Sequence, residues 1–361
     1  MNILILKVQT IGDTLLISPL IENLRQYYVN AKIDVIVNEG TQSMLVFNPN
    51  INRVLEYKRE SYRGLTNWQR LVKNLRFLND IRRERYDLVI DLDEGDRGAL
   101  ITWISGAKIK LGSAKISSRI LRNTYTHLFP ARGRRHTVEV NLDALRLLDI
   151  PIILKSVKLF WLKEDENIAL EKLENIDNFV HIHPFSKGRF KEIDDRSLAK
   201  IIDYCEQELN IRVILTAAPI SRELEKINNI LKLSVSRPIN LGGNLTLTQI
   251  GALNQYAKLF IGVDSAIMHI SAANNVPVLA FFGPTAPDVW GPWDNKSMTS
   301  TYNKISGFQQ MGDHMVISEN RNCQPCGQDG CNNSKVSECL MDLNLNFIIS
   351  KIKKIVNEKK Y

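Results

Sequence analysis

Short apolar segments alternate with longer segments of helical periodicity along the chain. In the first half, runs rich in Ile, Leu and Val predict strands, and the amphipathic runs between them predict helices. The predicted strands cover residues 2–8, 32–37, 86–92 and 108–111, and the predicted helices cover 15–28, 65–85 and 96–105. Such a strand–helix–strand series predicts a parallel sheet with helices on both faces.

The same alternation restarts near residue 179. Strands are predicted over residues 179–183, 212–216, 257–263 and 276–281, and helices over 195–209, 221–231, 245–256 and 265–274. We therefore expect an α/β protein with two doubly wound domains, 1–165 and 175–345, and a C-terminal helix over 346–361. Ligands of such folds bind at the carboxyl ends of the strands, here in a cleft between the two domains.

Composition and charge narrow the class of partner. The chain has 361 residues, of which 44% are hydrophobic and 24% charged, as in ordinary globular proteins. No apolar run reaches the roughly 18 residues needed to span a bilayer, and the first strand lacks the features of a signal peptide, so the cytoplasm is the expected compartment. Residues 1–150 carry 23 Lys and Arg against 16 Asp and Glu, which is +7 of the total +8. An anionic partner is therefore expected to dock on the first half.

The basic residues form two groups, one over 58–85 and one over 108–135. In the second group, apolar residues such as Ile120 and Phe129 lie among the cations, as in elements that bind a membrane surface. A solvated helix and loop is the alternative. Nucleic acid is not expected, because no zinc-finger, RRM, KH or helix-turn-helix pattern accompanies the charge.

Gly12 and Asp13 follow the first strand and open a helix. An acid there most often caps the helix, and the residues alone favour that role. The other hypothesis is a general base, because the carboxyl end of a strand faces the ligand and a carboxylate accepts protons from hydroxyl groups. Neither half carries GxGxxG, which disfavours a nicotinamide dehydrogenase.

Two segments of the second half are candidates for binding a diphosphate. In the segment 184–191, Ser186, Lys187 and Lys191 follow a strand, and backbone N–H groups and ammonium groups together suit phosphate. A solvated basic loop is the alternative. In the segment 259–292, Asp264 ends a strand and precedes a helix that carries His269. A helix N-terminus and a carboxylate at this edge suit a nucleotide sugar.

Two acidic or sulfur-containing clusters suggest metals. Cys323, Cys326, Cys331 and Cys339 have a spacing that suits either a structural zinc ion or reduced thiols, whereas Cys205 is expected in the core. The sequence Asp91-Leu92-Asp93 resembles the metal-binding Asp-x-Asp of many sugar transferases. It lies in the other half from the diphosphate candidates, so helix capping and acceptor contacts are preferred there.

Several of these motifs together resemble glycosyltransferase family 9, the lipopolysaccharide heptosyltransferases, and most closely the heptosyltransferase III type. The matching segments are ILILKVQTIGDTLLISPLIENLRQYY at 3–28, YDLVIDL at 86–92, ISGAKIKLG at 104–112, HTVEVNLDALRLLDI at 136–150, GVDSAIMHISAA at 262–273 and FFGPT at 281–285. They occur in family order and span most of the chain.

The resemblance implies a GT-B fold and transfer of heptose from ADP-heptose to the inner core of lipopolysaccharide, with inversion and without a metal. It implies that Asp13 is the general base and that Lys191 contacts the donor phosphates. It places Asp264, Ser265, Ala266 and His269 in the donor-binding element. The acceptor, Kdo-lipid A at the inner membrane, implies peripheral membrane contact and candidate acceptor-binding residues Arg97, Arg119, Arg122, Arg132, Arg134 and Arg135.

Two departures keep alternatives open. Ile193 stands where the family usually has Trp, and the best-known members lack the four cysteines. The alternatives are transfer of another nucleotide sugar to a surface glycan, a nucleotide-sugar 2-epimerase of the same fold, and a non-enzymatic assembly module.

Overall fold

The computed structural model describes residues 1–58, 64–174 and 176–358, without the side chain of residue 358. The chain forms two units, Met1–Phe160 and Trp161–Tyr361. The sequence predicted the junction between residues 165 and 175. Parts of the first basic group (59–63) and the end of the predicted C-terminal helix (359–361) lie outside the described residues.

The first unit is built on a six-stranded sheet in which every strand pair is parallel. Its strands are β1 (Asn2–Lys7), β2 (Lys32–Asn38), β3 (Arg53–Tyr57), β4 (Leu88–Asp91), β5 (Ile109–Gly112) and β6 (His127–Leu128). The order across the sheet is β3-β2-β1-β4-β5-β6. The direction of winding reverses between β1 and β4, which makes this pair the topological switch point of the unit.

Seven α-helices accompany this sheet within residues 1–58 and 64–160. They are α1 (Ile11–Leu15), α2 (Ser18–Tyr27), α3 (Asn67–Arg83), α4 (Asp96–Ser105), α5 (Arg119–Arg122), α6 (Thr137–Asn141) and α7 (Asp143–Leu147). The single helix predicted over 15–28 is wrong in detail, because it starts at Ile11 and is interrupted after Leu15. Pro19 lies in the first turn of α2, where a residue without N–H is tolerated, and so begins a new helix.

The second unit contains a seven-stranded sheet. Its strands are β7 (Phe179–His183), β8 (Arg212–Leu215), β9 (Ile239–Asn240), β10 (Leu259–Val263), β11 (Val278–Phe281), β12 (Gln309–Met311) and β13 (His314–Ile317). The order is β12-β13-β11-β10-β7-β8-β9, and β12 alone is antiparallel to its neighbour. The parallel part has the same winding as the first sheet, with its switch point between β7 and β10.

The helices of the second unit are α8 (Lys163–Leu173), α9 (Asp195–Asp203), α10 (Ser221–Leu233), α11 (Leu247–Asn254), α12 (Ala266–Ala273), α13 (Pro287–Trp290), α14 (Glu338–Met341) and α15 (Leu345–Glu358). The helix predicted over 195–209 changes to a π-helical turn at Tyr204–Glu208. Cys205 is buried in the core of this unit, as predicted. The C-terminal helix α15 packs on α9.

The pattern missed the short and polar elements. Strands β3, β6, β9, β12 and β13 and helices α5 to α8, α13 and α14 were not predicted. Most span two to five residues, too few for a period of 2 or 3.6 to show. The longer buried strands, by contrast, were found because their Ile, Leu and Val runs are almost continuous, as expected where both faces of a sheet are covered.

Candidate functional site

Asp13 lies in α1, directly after the carboxyl end of β1, and is buried. The helix is capped by Thr10, and Asp13 is its third residue, so the prediction that Asp13 itself is the N-cap is wrong. Its Oδ2 accepts hydrogen bonds from the Thr10 hydroxyl at 2.6 Å and the Thr10 N–H at 3.4 Å. Its Oδ1 is buried and has no hydrogen-bond partner among the described residues. One oxygen is therefore fixed, while the other can accept a proton.

Asp93, two residues beyond the end of β4, lies at the same switch point. Its Oδ2 accepts the Val8 N–H at 2.7 Å, which ties the end of β4 to the end of β1. Burial raises the pKa of Asp93 and nearby Asp13 adds to the rise, while the ammonium group of Lys7 opposes it. The three charged groups therefore lie within electrostatic range of one another. A cavity of about 460 Å³ opens beside them, lined by Val8, Gln9 and residues 93–98.

Asp91 lies beneath this cavity and is fully buried. It accepts hydrogen bonds from Tyr125 Oη at 2.5 Å and from the Asp93 N–H at 3.0 Å. Burial raises the pKa of Asp91 to about 7. A β-carbon at Gly98 would collide with this carboxylate, so the glycine lets α4 approach it. Helix α4 is capped by Gly95, so the capping role predicted for the Asp91-Leu92-Asp93 loop is wrong.

The six arginines predicted to bind the acceptor have different environments. Arg97 lines the cavity with its guanidinium 4.9 Å from the Tyr57 ring centroid. Arg119 and Arg122 are exposed on α5 and form no ion pair within the described parts of the chain. Arg135 forms a bidentate pair with buried Asp143, with distances of 3.0 and 2.6 Å. The remaining two are Arg132, which donates to Thr137 at 2.6 Å, and Arg134, which is exposed.

The segment 184–191 of the second unit is held by side chains around it. The Ser186 hydroxyl donates to the Gly188 carbonyl at 2.7 Å, so it shapes the turn, while Lys187 is exposed. Arg222 of α10 donates to the Ser186 carbonyl at 3.1 Å and pairs with buried Glu192. Ile193, in place of the family's Trp, is buried in the hydrophobic core. The loop is therefore anchored on both sides of Lys191.

Lys191 and Asp264 form an ion pair, which could not be predicted from the sequence because the two residues are 73 positions apart. Lys191 Nζ donates to Asp264 Oδ2 at 2.6 Å. Asp264 follows β10 and is 6% exposed, and Ser265 is the N-cap of α12, accepting the Met268 N–H at 3.4 Å. Ala266 is the first residue of this helix. A cation, a carboxylate and a helix N-terminus thus meet at the carboxyl edge of the sheet, which suits a phosphorylated ligand with hydroxyl groups.

His269 lies one turn into α12 and is buried. Thr285 follows β11 in the FFGPT segment, and its buried hydroxyl oxygen lacks a hydrogen-bond partner in the described chain. His183 ends β7 and is hydrogen-bonded to Thr216 at 2.9 Å. Sequence analysis missed His183 and Thr216, because a histidine within an apolar strand gives no signal of what lies opposite. The FFGPT motif was the available signal for Thr285.

The cysteine segment packs against the loops of the second switch point. Cys339 is buried, Cys331 half-buried, and Cys323 and Cys326 exposed. The Gln324 side chain donates to the Gly283 carbonyl at 3.1 Å. Ser337 Oγ donates to the Phe190 carbonyl at 2.6 Å, next to Lys191. Burial raises the pKa of Cys339 to about 11, and the three other thiols of the segment are near enough to contribute. Within residues 1–58, 64–174 and 176–358, no group of three or more His, Cys, Asp or Glu has an arrangement that could hold a metal ion.

No helix among the described residues is both long and apolar enough to cross a membrane. Exposed apolar side chains do occur in the first unit, where Trp68, Leu71 and Leu75 share one face of α3. Ile120, between Arg119 and Arg122, is 81% exposed.

Comparison with known proteins shows the family to which the chain belongs. The family model described as glycosyltransferase family 9 (heptosyltransferase) matches residues 74–309. The chain is 31% identical over 293 residues to lipopolysaccharide heptosyltransferase 3 of Escherichia coli, covering 79% of this chain and 84% of that protein. A family 9 glycosyltransferase structure from Veillonella parvula has a TM-score of 0.78 and 19% identity, covering 99% of this chain and 97% of that one.

The structure of the E. coli ADP-heptose lipopolysaccharide heptosyltransferase II has a TM-score of 0.75 and 18% identity over the full length of both chains. These likenesses confirm the predicted fold, GT-B with two Rossmann-like domains. A match of the family model to well over half of the chain, together with the similarity to heptosyltransferase 3, also confirms the family. The chain belongs to glycosyltransferase family 9, the heptosyltransferase family, and is a glycosyltransferase.

Proposed function

We propose that this enzyme transfers a heptose from ADP-heptose to the inner core of lipopolysaccharide, with inversion at the anomeric carbon and Asp13 as general base. The proposed role of Asp13 rests on one observation, which is that its two carboxylate oxygens have different hydrogen-bond environments. Thr10 holds Oδ2, whereas Oδ1 is buried and has no partner in the described chain. A general base needs an oriented carboxylate with one oxygen available to a substrate hydroxyl.

In the proposed reaction, the acceptor hydroxyl oxygen forms a bond to the anomeric carbon while its proton moves to Asp13 Oδ1. The bond from the anomeric carbon to the phosphate oxygen breaks, and ADP leaves with the electron pair. The transition state resembles an oxocarbenium ion, as in other glycosyl transfers. Charge develops on the leaving phosphate, and no second acid is needed if cations and dipoles balance this charge.

Lys191 and the N-terminus of α12 are proposed to supply that balance. Lys191 is paired with Asp264 at 2.6 Å. On binding, the diphosphate accepts hydrogen bonds from Lys191 and from the first N–H groups of α12, while Asp264 accepts from sugar or ribose hydroxyls. Ser186, Lys187, Ser265, Ala266 and His269 complete the proposed donor site.

The acceptor is proposed to bind through arginines that form no ion pair with a described residue of the protein. Arg97, Arg119 and Arg122 are exposed, and the first of them lines the cavity beside Asp93. Kdo carboxylates and core phosphates match guanidinium groups in charge and geometry. Arg132 and Arg135 are held by Thr137 and Asp143, so they rank below the other three.

Contact with the cytoplasmic face of the inner membrane is also proposed, through the exposed apolar residues of α3 and α5. Trp68 and Ile120 are 72% and 81% exposed, and cations lie near both. Such a surface binds anionic bilayers by combining apolar burial with electrostatic attraction.

In co-sedimentation with phosphatidylglycerol vesicles, Ile120→Glu should bind more weakly than wild type, and Ile220→Glu in the second unit should bind as well as wild type. Equal binding by wild type and Ile120→Glu would contradict this surface.

Structural zinc bound by the four cysteines remains a proposal from their spacing. Because two of the thiols are exposed, they would have to move inward to complete a tetrahedral site with Cys331 and Cys339. Elemental analysis of protein purified without chelator tests this. Less than a tenth of an equivalent of zinc, in protein in which all five cysteines are reduced, would contradict it.

The reaction is tested with ADP-, GDP- and UDP-sugars and truncated lipopolysaccharides, using mass spectrometry. We expect the acceptor to gain one heptose from ADP-heptose, and Asp13→Asn to abolish this gain while still binding ADP. Asp149→Asn is a matched control in the same unit, because this residue lies outside the site. Conversion of a nucleotide sugar without any acceptor would instead support the 2-epimerase alternative, and transfer from another donor would change the substrate assignment.

A further inference from the structure

Two cations of α10 hold the segment that carries Lys191. Arg222 and Lys226 lie one turn apart on this helix, so they share one of its faces. Arg222 donates through Nη2 to the Ser186 carbonyl at 3.1 Å, before Lys191 in the chain. Lys226 donates to the Ile193 carbonyl at 3.2 Å, after Lys191. The helix therefore holds the backbone on both sides of Lys191.

Glu192, the residue next to Lys191, joins these two cations. Its side chain is 5% exposed, and its Oε1 is ion-paired with Arg222 Nη1. The other carboxylate oxygen, Oε2, lies 3.7 Å from Lys226 Nζ. Arg222 Nη2 also donates to Glu223 Oε1 at 3.0 Å, which orients the guanidinium group. We call Glu192, Arg222 and Lys226 the α10 cluster.

The backbone at Lys191 is a single turn of 3₁₀ helix, Arg189–Lys191, in which the Lys191 N–H donates to the Gly188 carbonyl at 3.0 Å. So short a turn has few hydrogen bonds of its own, and its position depends on what holds its ends. Lys191 and Glu192 are consecutive, but their partners lie on different elements. Asp264 follows β10, whereas the cations paired with Glu192 are on α10. Holding Glu192 therefore sets where the Lys191 side chain leaves the turn.

Burial makes the α10 cluster unfavourable unless its charges are paired. It raises the pKa of Glu192, and the guanidinium group of Arg222 and the ammonium group of Lys226 oppose this rise. A buried ion pair often contributes no more stability than apolar side chains of similar volume, and its best-attested use is to fix one geometry. The geometry fixed here is that of the loop bearing Lys191.

We propose that Glu192 and Arg222 are positioning residues of the donor site, which hold Lys191 where its ammonium group meets the diphosphate of the nucleotide sugar. This inference rests on the proposed function, since it takes Lys191 as a contact of the donor phosphates. Glu192 and Arg222 act without touching the ligand. A lysine ammonium group ends a flexible side chain, so its contribution to binding is larger when the fold has already restricted it.

The opposite charges of the two residues separate positioning from a direct effect of charge. If each acted only through its electric field, loss of the negative Glu192 would strengthen the binding of an anionic ligand, and loss of the positive Arg222 would weaken it. Positioning predicts a loss in both cases. In calorimetry with ADP, Glu192→Gln and Arg222→Gln should each bind about 10-fold more weakly than wild type, within the range of coupling between neighbouring residues.

A double-mutant cycle tests whether the effect passes through Lys191. In the Lys191→Ala background, Glu192→Gln and Arg222→Gln should change the Kd for ADP by less than about twofold, because no ammonium group is left to position. A loop that had merely lost its structure would bind ADP more weakly in both backgrounds.

Arg212→Gln is the matched control for these variants. Arg212 pairs with Glu206 at 3.2 Å in the same unit, outside the segment 184–191. This variant loses the same charge as Arg222→Gln and should bind ADP like wild type. Circular dichroism and thermal unfolding identify the folded variants, and if Arg222→Gln does not fold, the isosteric Glu192→Gln supports the same cycle.

Unchanged or tighter ADP binding by folded Glu192→Gln, or equal weakening with and without Lys191, would overturn the inference and leave the proposed function intact. If the Lys191→Ala variant itself bound ADP as tightly as wild type, the proposed donor site would fail, and this inference with it.

Discussion

The two switch points have the same strand topology, but different ionisable groups are buried at them. At β1 and β4, the buried carboxylates Asp13 and Asp91 and the half-buried Asp93 lie near Lys7, and one oxygen of Asp13 lacks a partner among the described residues. At β7 and β10, two neutral histidines are buried, and the buried carboxylate Asp264 is paired with the partly exposed Lys191. Burial acts on both sites in the same way, since it favours the uncharged form of every group. It raises the pKa of Asp91 and Asp93 in the first unit and lowers the pKa of His181 and His183 in the second.

The largest expected effect separates chemistry from binding. Asp13→Asn should lower kcat by about 1,000-fold, within the range for loss of a general base, and leave the Kd for ADP unchanged. Lys191→Ala should weaken ADP binding by about 10- to 100-fold because it removes a charge-assisted contact. Steady-state kinetics and calorimetry measure the two effects.

Lys200→Ala is the control for Lys191, because this lysine is exposed on α9. If Asp13→Asn weakened ADP binding as much as Lys191→Ala does, the assignment of the proton acceptor to the first unit and the donor to the second would be wrong.

Acidification should affect the two units in opposite directions. Unfolded histidine binds a proton near pH 6.5, whereas folded His181 and His183 do so near pH 3. Below pH 6.5 the unfolded state therefore binds more protons, and each histidine lowers the free energy of unfolding by about 2 kcal/mol at pH 5. Asp91 acts in the other direction, because the folded state takes up its proton near pH 7 and the unfolded state near pH 4.

Hydrogen exchange at pH 7.5 and pH 5, corrected for intrinsic rates, measures this difference. Peptides from β7 and β8 should lose protection at pH 5, and those from β4 should lose less. The loss in β7 should be smaller in His183→Gln and unchanged in His127→Gln. Equal loss in β4 and β7 would argue against the contrast in buried groups.

A smaller effect is expected at Asp91, the buried carboxylate beneath the cavity of the first unit. Tyr125→Phe removes a donor to the buried Asp91 carboxylate, so it should lower the free energy of unfolding by about 1–2 kcal/mol at pH 7.5. The loss should shrink at pH 5.5, where Asp91 is protonated. Urea unfolding measures it, with Tyr27→Phe at an exposed tyrosine as control. A loss that grows on acidification would contradict the role of Tyr125.

The smallest effect concerns the cysteine segment. Ser337→Ala removes the hydrogen bond to Phe190 beside the donor loop. It should cost about 1 kcal/mol of stability in the second unit and change the Kd for ADP by about twofold. Ser334→Ala, whose exposed hydroxyl bonds within its own segment, is the matched control. No difference between the two variants would show that the segment does not support the loop.

The sequence predicted the fold where burial leaves a pattern. The strands at residues 179–183 and 212–216, for example, were identified nearly to the residue, because a strand covered on both faces must be apolar throughout. The edge strands Arg53–Tyr57 and Gln309–Met311 were missed. They are short, and one of them is half-exposed along its length, so their pairing depends on partners that local periodicity does not reveal.

The candidate site was predicted in part. Asp13, Lys191 and Asp264 were identified from motifs, but the residues alone favoured Asp13 as the N-cap, a role that the structure gives to Thr10. Arg135 looked available for an acceptor, yet it is paired with Asp143. Whether a charged side chain is available to bind a ligand depends on its neighbours in space. Neither the number of charges nor their spacing in the sequence identifies those neighbours.

The sequence by itself determined the two βαβ series, the basic first half, and the residue types at the carboxyl ends of β1 and β10. These features can be read from local periodicity and composition, because they depend on residues that are close together in the sequence. Only the tertiary structure decided which oxygen of Asp13 lacks a partner in the described chain, that Lys191 reaches Asp264 across 73 positions, and that Thr216 lies between His181 and His183. Hydrogen bonding and burial depend on groups brought together from distant parts of the chain. They make one sheet edge rich in carboxylates and give the other neutral histidines and a Lys–Asp ion pair.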